Sequence, residues 1–235
     1  MKRLPFIVIA LGVALAVAAG YLYLRFGGDQ SKRSGLVRQW ILDPQSHSDW
    51  AVRAGEHCGG APFAFPSAGF IGYLWRDTFQ ANHPHTGIDL FAGTAPNVTP
   101  VYAVYDGYLT RLADWKSTVI IRIPSDPLHP GAQIWTYYTH MADVQGNSTV
   151  SSDFPQGTSE VFVKAGTLLG YQGNYSGTPG SPTGVHLHFS IVKSDASGSF
   201  TNESLIQNTL DPSPYFGLDL NAVEGSDEVI VCKTD

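Results

Sequence analysis

Short runs of β-branched and aromatic residues, separated by glycine and proline, are the feature that most restricts the fold of this chain. Runs such as 118–123, 134–139 and 185–192 are long enough for one strand each and too short for a typical helix. Between residues 61 and 195 no helical apolar periodicity is sustained. The sequence therefore predicts an all-β fold, a compact antiparallel β-sheet domain.

One pair of these runs predicts a tight turn. The apolar run 101–105 is followed by Asp106-Gly107 and then by the short run 108–110. An Asp-Gly pair between two such runs is typical of a two-residue hairpin loop. We therefore expect 101–105 and 108–110 to pair as a β-hairpin.

The amino-terminal segment, residues 1–26, combines basic and apolar character. Lys2 and Arg3 precede an apolar run over 4–24 that ends at Arg25. In a helix, about 21 residues span the roughly 30 Å of a bilayer core. The segment predicts either an uncleaved membrane helix or a cleaved signal peptide. Either one predicts export, to the outer face of the cytoplasmic membrane, the periplasm or the cell wall.

The remaining chain divides by composition. Residues 27–60 begin polar and flexible and are predicted to be a stalk or linker, with a short helix over 36–40 that Pro44 ends. Residues 61–216 carry the predicted β domain, and 217–235 form a carboxy-terminal extension.

Charge and cysteine content restrict the partners and the sites. The net charge is −6, with no cluster of Lys and Arg, so we expect no nucleic-acid binding. The two cysteines, Cys58 and Cys232, are either a disulfide in an exported protein or two separate thiols. Two distant cysteines exclude a structural zinc site built from thiolates.

The segment Val185-His186-Leu187-His188-Phe189 places two histidines on one face of a strand. Alternate residues of a strand share a face, so Leu187 and Phe189 point the other way, into a core. One histidine could then bind a metal while the other reaches a water molecule. Taken alone, such a pair is also typical of a solvated strand face.

A second candidate element is His85-Thr86-Gly87-Ile88-Asp89. In a straight strand His85 and Asp89 would lie about 13 Å apart, and Gly87 permits the kink that brings them together. Imidazole nitrogen and carboxylate oxygen are both ordinary zinc ligands. Alone, this pattern also fits a capped turn before a strand. His83 lies close by and ranks below His85 as a ligand.

His140 ends the strand run over 137–140 and completes the set of candidates. Two histidines and one carboxylate supply three protein ligands and leave a fourth position open, as in catalytic zinc sites. Two further histidines remain that could face this opening. The sequence thus predicts one zinc ion per chain and a hydrolytic reaction.

The order of these motifs resembles the lysostaphin-type, LytM-like zinc endopeptidases of bacterial cell walls. The likeness covers roughly residues 62–195 and includes H-x-G-x-D at 85–89, a T-H pair ending at His140, and G-x-H-L-H-F at 184–189. The resemblance implies an antiparallel β domain with a groove over one sheet. It also implies that the substrate is the peptide part of peptidoglycan, in its stem or its cross-links.

The resemblance also assigns roles to residues. His85, Asp89 and His188 would bind the zinc ion. His140 and His186 would position and deprotonate the attacking water and stabilise the oxyanion. Which of these two acts as the general base stays open.

The chain departs from the family in two ways. Ser190 stands where the family often has glutamate, and the loops 124–131 and 143–160 are longer than usual. These loops are expected to reshape the walls of the groove, so the bond that is cut does not carry over from the family.

Two other functions compete with the enzyme. The first is a catalytically weak or inactive scaffold that regulates other cell-wall enzymes on the same fold; the five filled positions argue against it. The second is a lipoyl-type carrier, which needs an exposed lysine in a tight turn. Lys164 lacks the neighbours that such a carrier has.

Overall fold

The strands are short, as the spacing of the turn residues predicts, with one long exception. The computed structural model describes residues 31, 33–78, 83–223 and 227–232. The strands are β1 (Ala51–Val52), β2 (Gly69–Ile71), β3 (Ile88–Phe91), β4 (Pro100–Tyr102), β5 (Gly107–Thr110), β6 (Val119–Ile123), β7 (Ile134–Thr139), β8 (Val161–Val163), β9 (Leu168–Tyr171), β10 (Gly173–Tyr175), β11 (Pro182–Lys193) and β12 (Thr209–Leu210). The helices are α1 (Ser34–Leu42) and α2 (Ser213–Phe216), with 3-10 turns at Ser48–Trp50 and Ile206–Asn208.

The long strand β11 organises the sheet. In the described residues the strands are ordered β1-β2-β3-β11-β7-β6-β5-β8, β10 and β12 also pair with β11, and β4 pairs with β9 separately. These pairs are antiparallel. The predicted antiparallel β fold is therefore confirmed. Because β3 and β7 flank β11, residues on all three strands can meet over one face.

The two faces of β11 differ as its alternating pattern predicts. Leu187, Phe189 and Ile191 are buried in the main hydrophobic core. His186 and His188 line a groove on the opposite face. The Phe189 ring meets Tyr138 of β7 at 5.2 Å between centroids. Burial of these apolar side chains holds the strand in register, because a one-residue slip would turn the histidines into the core.

The predicted hairpin at Asp106-Gly107 is wrong. Strand β4 pairs with β9, whereas β5 pairs with β6 and β8. Neither Asp106 nor Gly107 has the positive φ that a type I′ turn requires. An added Cβ on Gly107 would lie 2.5 Å from the carbonyl oxygen of Arg122. The glycine therefore permits close approach to β6 and does not form a turn.

Helix α1 packs on the sheet beside β2 and β3. The helix predicted over 36–40 is confirmed, and it extends to the bounds of α1. Its side chains Val37 and Trp40 are buried and form a small apolar cluster with Phe70 and Phe91. The Trp40 and Phe70 rings lie 5.8 Å apart. Part of the segment predicted as a stalk thus contacts the β domain, while the domain boundary at residue 60 stays a prediction.

The predicted membrane helix or signal peptide, residues 1–26, lies outside the described residues. Within the residues that the structure describes, no helix is both long and apolar enough to cross a bilayer. The choice between an anchor and a cleaved signal peptide stays a prediction.

The two ends of the described chain are joined. Arg33 donates a hydrogen bond from Nη1 to the carbonyl oxygen of Glu228 at 2.7 Å and from Nη2 to that of Ile71 at 2.7 Å. Cys58 and Cys232 form a disulfide across 174 positions of sequence, so the disulfide interpretation of the two cysteines holds. The carboxy-terminal segment is therefore tied to the start of the β domain.

Removing this disulfide is expected to lower the free energy of unfolding by about 2–5 kcal/mol, because the cross-link restricts a long loop in the unfolded chain. The measurement is urea unfolding of the oxidised wild type, the reduced wild type and the double variant Cys58→Ser/Cys232→Ser. The reduced wild type should match the double variant. Equal unfolding midpoints for the oxidised wild type and the double variant would contradict the expectation.

Candidate active site

Three predicted side chains meet at one point of the sheet: His85, Asp89 and His188. One ligand atom from each lies within 4.8 Å of the other two. His85 Nε2 is 3.1 Å from Asp89 Oδ1 and 2.9 Å from His188 Nδ1. His188 Nδ1 is 2.9 Å from Asp89 Oδ1. The structure therefore brings these three residues together.

Local backbone structure explains this convergence. Asp89 on β3 lies directly opposite His188 on β11 in the antiparallel register. An added Cβ on Gly87 would lie 2.0 Å from the carbonyl oxygen of Phe189, so the backbone there lies against β11. Only glycine permits this approach. The chain can thus bring His85 to the same point.

Three of the histidines share one hydrogen-bond arrangement. In each, Nδ1 faces a backbone carbonyl oxygen, which can only accept, so Nδ1 carries the proton and Nε2 keeps its lone pair. The pairs are His85 with Leu74 at 2.9 Å, His140 with Tyr175 at 2.6 Å, and His186 with Gly184 at 2.7 Å. All three rings are thus oriented by the backbone.

His188 is oriented the other way round, and Ser190 explains this. His188 Nε2 is 2.9 Å from the Ser190 hydroxyl oxygen. When Nε2–H donates to this hydroxyl, Nδ1 keeps its lone pair toward His85 and Asp89. Ser190, at which the chain departs from the family pattern, therefore orients the His188 ring through this hydrogen bond.

The three converging atoms fit a cation of the zinc type. Two nitrogen lone pairs and a carboxylate oxygen repel one another unless a positive charge lies between them. Ligand atoms around a tetrahedral zinc ion with bonds of about 2.0–2.1 Å lie roughly 3.3 Å apart. The observed separations, from 2.9 to 3.1 Å, are close to this value. The residues could hold such an ion without rearrangement of the backbone.

The environment sets the protonation states of the cluster. Burial disfavours the charge on Asp89, but the neighbouring histidines outweigh it and hold its pKa well below the usual range. Burial lowers the pKa of His186 and of His188 to about 4, and it also lowers the pKa of His140. Burial opposes the charge on His85 as well, but the Asp89 carboxylate raises the pKa of His85. The site thus combines a carboxylate with neutral imidazoles at His140, His186 and His188, the forms that bind metals and accept protons. The raised pKa of His85 favours a proton on that ring, which a bound cation would displace.

His140 and His186, the two predicted catalytic residues, lie beside this cluster. Their ring centroids are 4.4 Å apart, and His186 Nε2 is 3.8 Å from Asp89 Oδ1. The Phe91 ring stacks on His186 at 4.9 Å between centroids. His140 has a φ of 70°, an uncommon conformation for a residue other than glycine. All five predicted residues therefore share one site.

The site opens into a groove of about 780 Å³. His83, ranked below His85 in the sequence, also lines the groove but does not belong to the three-residue cluster. No residue of the loops 124–131 and 143–160 lines the groove in the described structure, so the expectation that they reshape its walls stays a prediction. The walls come from other segments, represented by Val37, Ile41, Tyr73, Tyr175, Ser176, Gly177, Glu203 and Ser204.

Sequence reasoning missed these wall residues. Ile41 belongs to the segment predicted as a stalk, and Glu203 lies in a polar stretch after the last strong strand. Neither has a motif or a local pattern that distinguishes it from surface residues. Both reach the groove through tertiary packing.

Comparison with solved structures gave matches at low identity. The chain is similar to Csd3 from Helicobacter pylori, with 21% identity, a TM-score of 0.40, and coverage of 67% of this chain and 33% of that one. It is similar to a putative glycyl-glycine endopeptidase LytM from Ruminococcus gnavus, with 23% identity, a TM-score of 0.43, and coverage of 66% and 59%. It is also similar to the antimicrobial peptidase lysostaphin from Staphylococcus simulans, with 17% identity, a TM-score of 0.38, and coverage of 70% and 55%. The chain spans less than two thirds of the length of each of these three.

Comparison with curated proteins gave no match. A family model described as peptidase family M23 matches residues 83–200, which is half of the chain. The matched range includes all five predicted site residues. It confirms the predicted family. The chain belongs to peptidase family M23.

Proposed function

We propose that this chain is a zinc-dependent endopeptidase that hydrolyses peptide bonds in the stem or cross-link peptides of bacterial peptidoglycan. The observation that carries the proposal is the convergence of His85, Asp89 and His188 at the base of a groove. Two imidazoles and one carboxylate are a donor set that suits zinc. Three protein ligands leave one position free, as a hydrolytic centre requires.

In this proposal zinc would be held by His85 through Nε2, by His188 through Nδ1 and by Asp89 through Oδ1. The carbonyl of Leu74 and the hydroxyl of Ser190 orient the two rings from behind. When bound, zinc supplies Lewis-acid chemistry, which polarises a peptide carbonyl and lowers the pKa of water.

His140 and His186 handle the proton in this proposal. Each presents the unprotonated Nε2 to the site, because its Nδ1–H donates to a backbone carbonyl. Either Nε2 can take a proton from the attacking water and return it to the leaving amine. Their lowered pKa values keep both rings neutral, and hence ready to accept, at neutral pH. The protonated ring then carries a positive charge beside the developing oxyanion.

The substrate and the location follow from the motifs shared with the lysostaphin-type enzymes. The groove is open to solvent, so it could admit a peptide that remains attached to a larger polymer. Such a polymer lies outside the cytoplasm, in agreement with export directed by residues 1–26 and with a disulfide. We further propose that 61–216 is the peptidase domain, preceded by a linker over 27–60 and followed by an extension over 217–235.

The test combines zinc content with digestion of purified peptidoglycan. The wild type is expected to bind one zinc ion per chain and to release soluble peptides, which mass spectrometry identifies together with the bond cut. A chelator should stop the release, and added zinc should restore it. A zinc-loaded protein that releases no peptide would favour the scaffold alternative, since that role needs the fold but no turnover.

A further inference from the structure

The two ends of the groove differ in chemistry, and β11 connects them. At the end near Gly184, Ile41 of α1 forms the wall. The Cδ1 atom of Ile41 lies 3.5 Å from the position that a Cβ on Gly184 would occupy. Ile41 is 50% exposed, and Val37 of the same helix lines the groove beside it. This end therefore offers an apolar surface.

The other end carries an acidic group. Tyr137 lies opposite Ser190 in the register of β7 and β11, six residues along β11 from Gly184. Burial raises the pKa of Tyr137 to about 12, and the nearby carboxylate of Glu203 contributes in the same direction. Glu203 and Ser204 line the groove at this end. A strand rises about 3.3 Å per residue, so the two ends are roughly 20 Å apart.

The charges in the groove are unbalanced. Among the described residues that line it, the acidic ones are Asp89 and Glu203, and none is lysine or arginine. Asp89 belongs to the three-residue cluster that could hold a cation. Glu203 forms no ion pair within the described part of the chain. A carboxylate that faces a groove without a cationic partner favours a ligand that carries a positive charge.

We propose that Glu203 determines specificity by binding an ammonium group of the substrate peptide, while Ile41 contacts an apolar side chain of the same peptide. The peptide lies extended along β11, with its scissile bond at the histidines between the two ends. A groove of roughly 20 Å accommodates about six extended residues. This inference rests on the proposed function, because it assumes that the groove binds the peptide that is cut.

The first test compares native peptidoglycan, chosen to contain free amino groups, with the same material after acetylation of those groups. Acetylation should lower the kcat/KM of the wild type about tenfold, since it removes a charge-assisted hydrogen bond. Glu203→Gln should be about tenfold slower than the wild type on native material and should digest both materials equally. The control Asp153→Asn, an exposed carboxylate outside the groove, should retain the preference of the wild type.

The second test examines the apolar end with a matched pair of neighbours on α1. Ile41→Ser is expected to raise KM about fivefold, from the loss of apolar contact area, with little change in kcat. Leu42→Ser removes an exposed apolar side chain that does not line the groove and should match the wild type. Equal KM values for the two variants would overturn the role of Ile41.

The outcomes separate this inference from the proposed function. If the zinc-loaded wild type digests neither material, the proposed function fails, and this inference falls with it. If the wild type digests both materials equally, or Glu203→Gln keeps the preference for free amino groups, only the inference is overturned. The zinc content of Glu203→Gln is measured as well. A loss of zinc from this variant would also overturn the inference, because Glu203 would then act through the metal site.

Discussion

The variant His188→Ala is expected to lose stoichiometric zinc and, with it, on the order of a thousandfold or more of the peptidase activity. In the proposed metal site, Nδ1 of His188 is one of three ligand atoms and lies 2.9 Å from each of the other two. Its removal leaves two of the three residues, and one of them is the Asp89 carboxylate, whose charge is disfavoured by burial. His85→Ala should behave alike. The measurements are zinc content after dialysis, zinc affinity by competition with a chromophoric chelator, and release of peptides from peptidoglycan.

A graded series makes this prediction specific. Ser190→Ala leaves all three ligands in place but removes the hydroxyl that orients His188, so zinc affinity should fall only about 10- to 100-fold. His129→Ala removes a histidine that is 73% exposed and lies outside the groove, and it should bind zinc like the wild type. Full zinc occupancy and activity in His188→Ala would disprove the assignment of the metal site.

The strands could be predicted because the alternation of apolar residues within each segment indicates which face is buried. In the β11 segment, alternating Leu187 and Phe189 mark the core face whatever the neighbouring strands are. This alternation placed His186 and His188 together on the groove face. Gly87 similarly indicated a special backbone position between His85 and Asp89. The five candidate residues were therefore accessible from the sequence, although their roles remain proposals.

Strand partners and groove walls depend on contacts that the sequence does not encode locally. The backbone N–H of Val104 donates to the hydroxyl of Tyr138, 34 residues away, which helps to keep this segment out of the expected hairpin. Ile41 reaches the groove only because the other face of α1 packs on β2 and β3. Since α1 follows a polar, flexible stretch, its composition resembled that of a linker. Such positions follow from tertiary packing, which overrides local propensity.

Replacing His140 or His186 with alanine is expected to lower kcat about 10²- to 10⁴-fold while zinc content is retained. Neither ring belongs to the three-residue cluster that could hold the ion. Each presents an unprotonated Nε2 to the site, and alanine removes this proton acceptor. KM should change little, because in the proposed mechanism both residues act mainly in the transition state. Steady-state kinetics on a defined peptide released from peptidoglycan, together with zinc content, would measure both effects.

Chemical rescue then separates the two histidines. Exogenous imidazole should restore part of kcat in the variant that lacks the general base, since the space left by the ring can admit it. It should not restore kcat in a variant that lacks a residue whose only role is to orient the water. The double variant His140→Ala/His186→Ala should be little slower than the slower single variant if both residues serve one proton transfer. If either single variant loses its zinc, that histidine contributes to the metal site, and the division into three ligands and two catalytic residues is wrong.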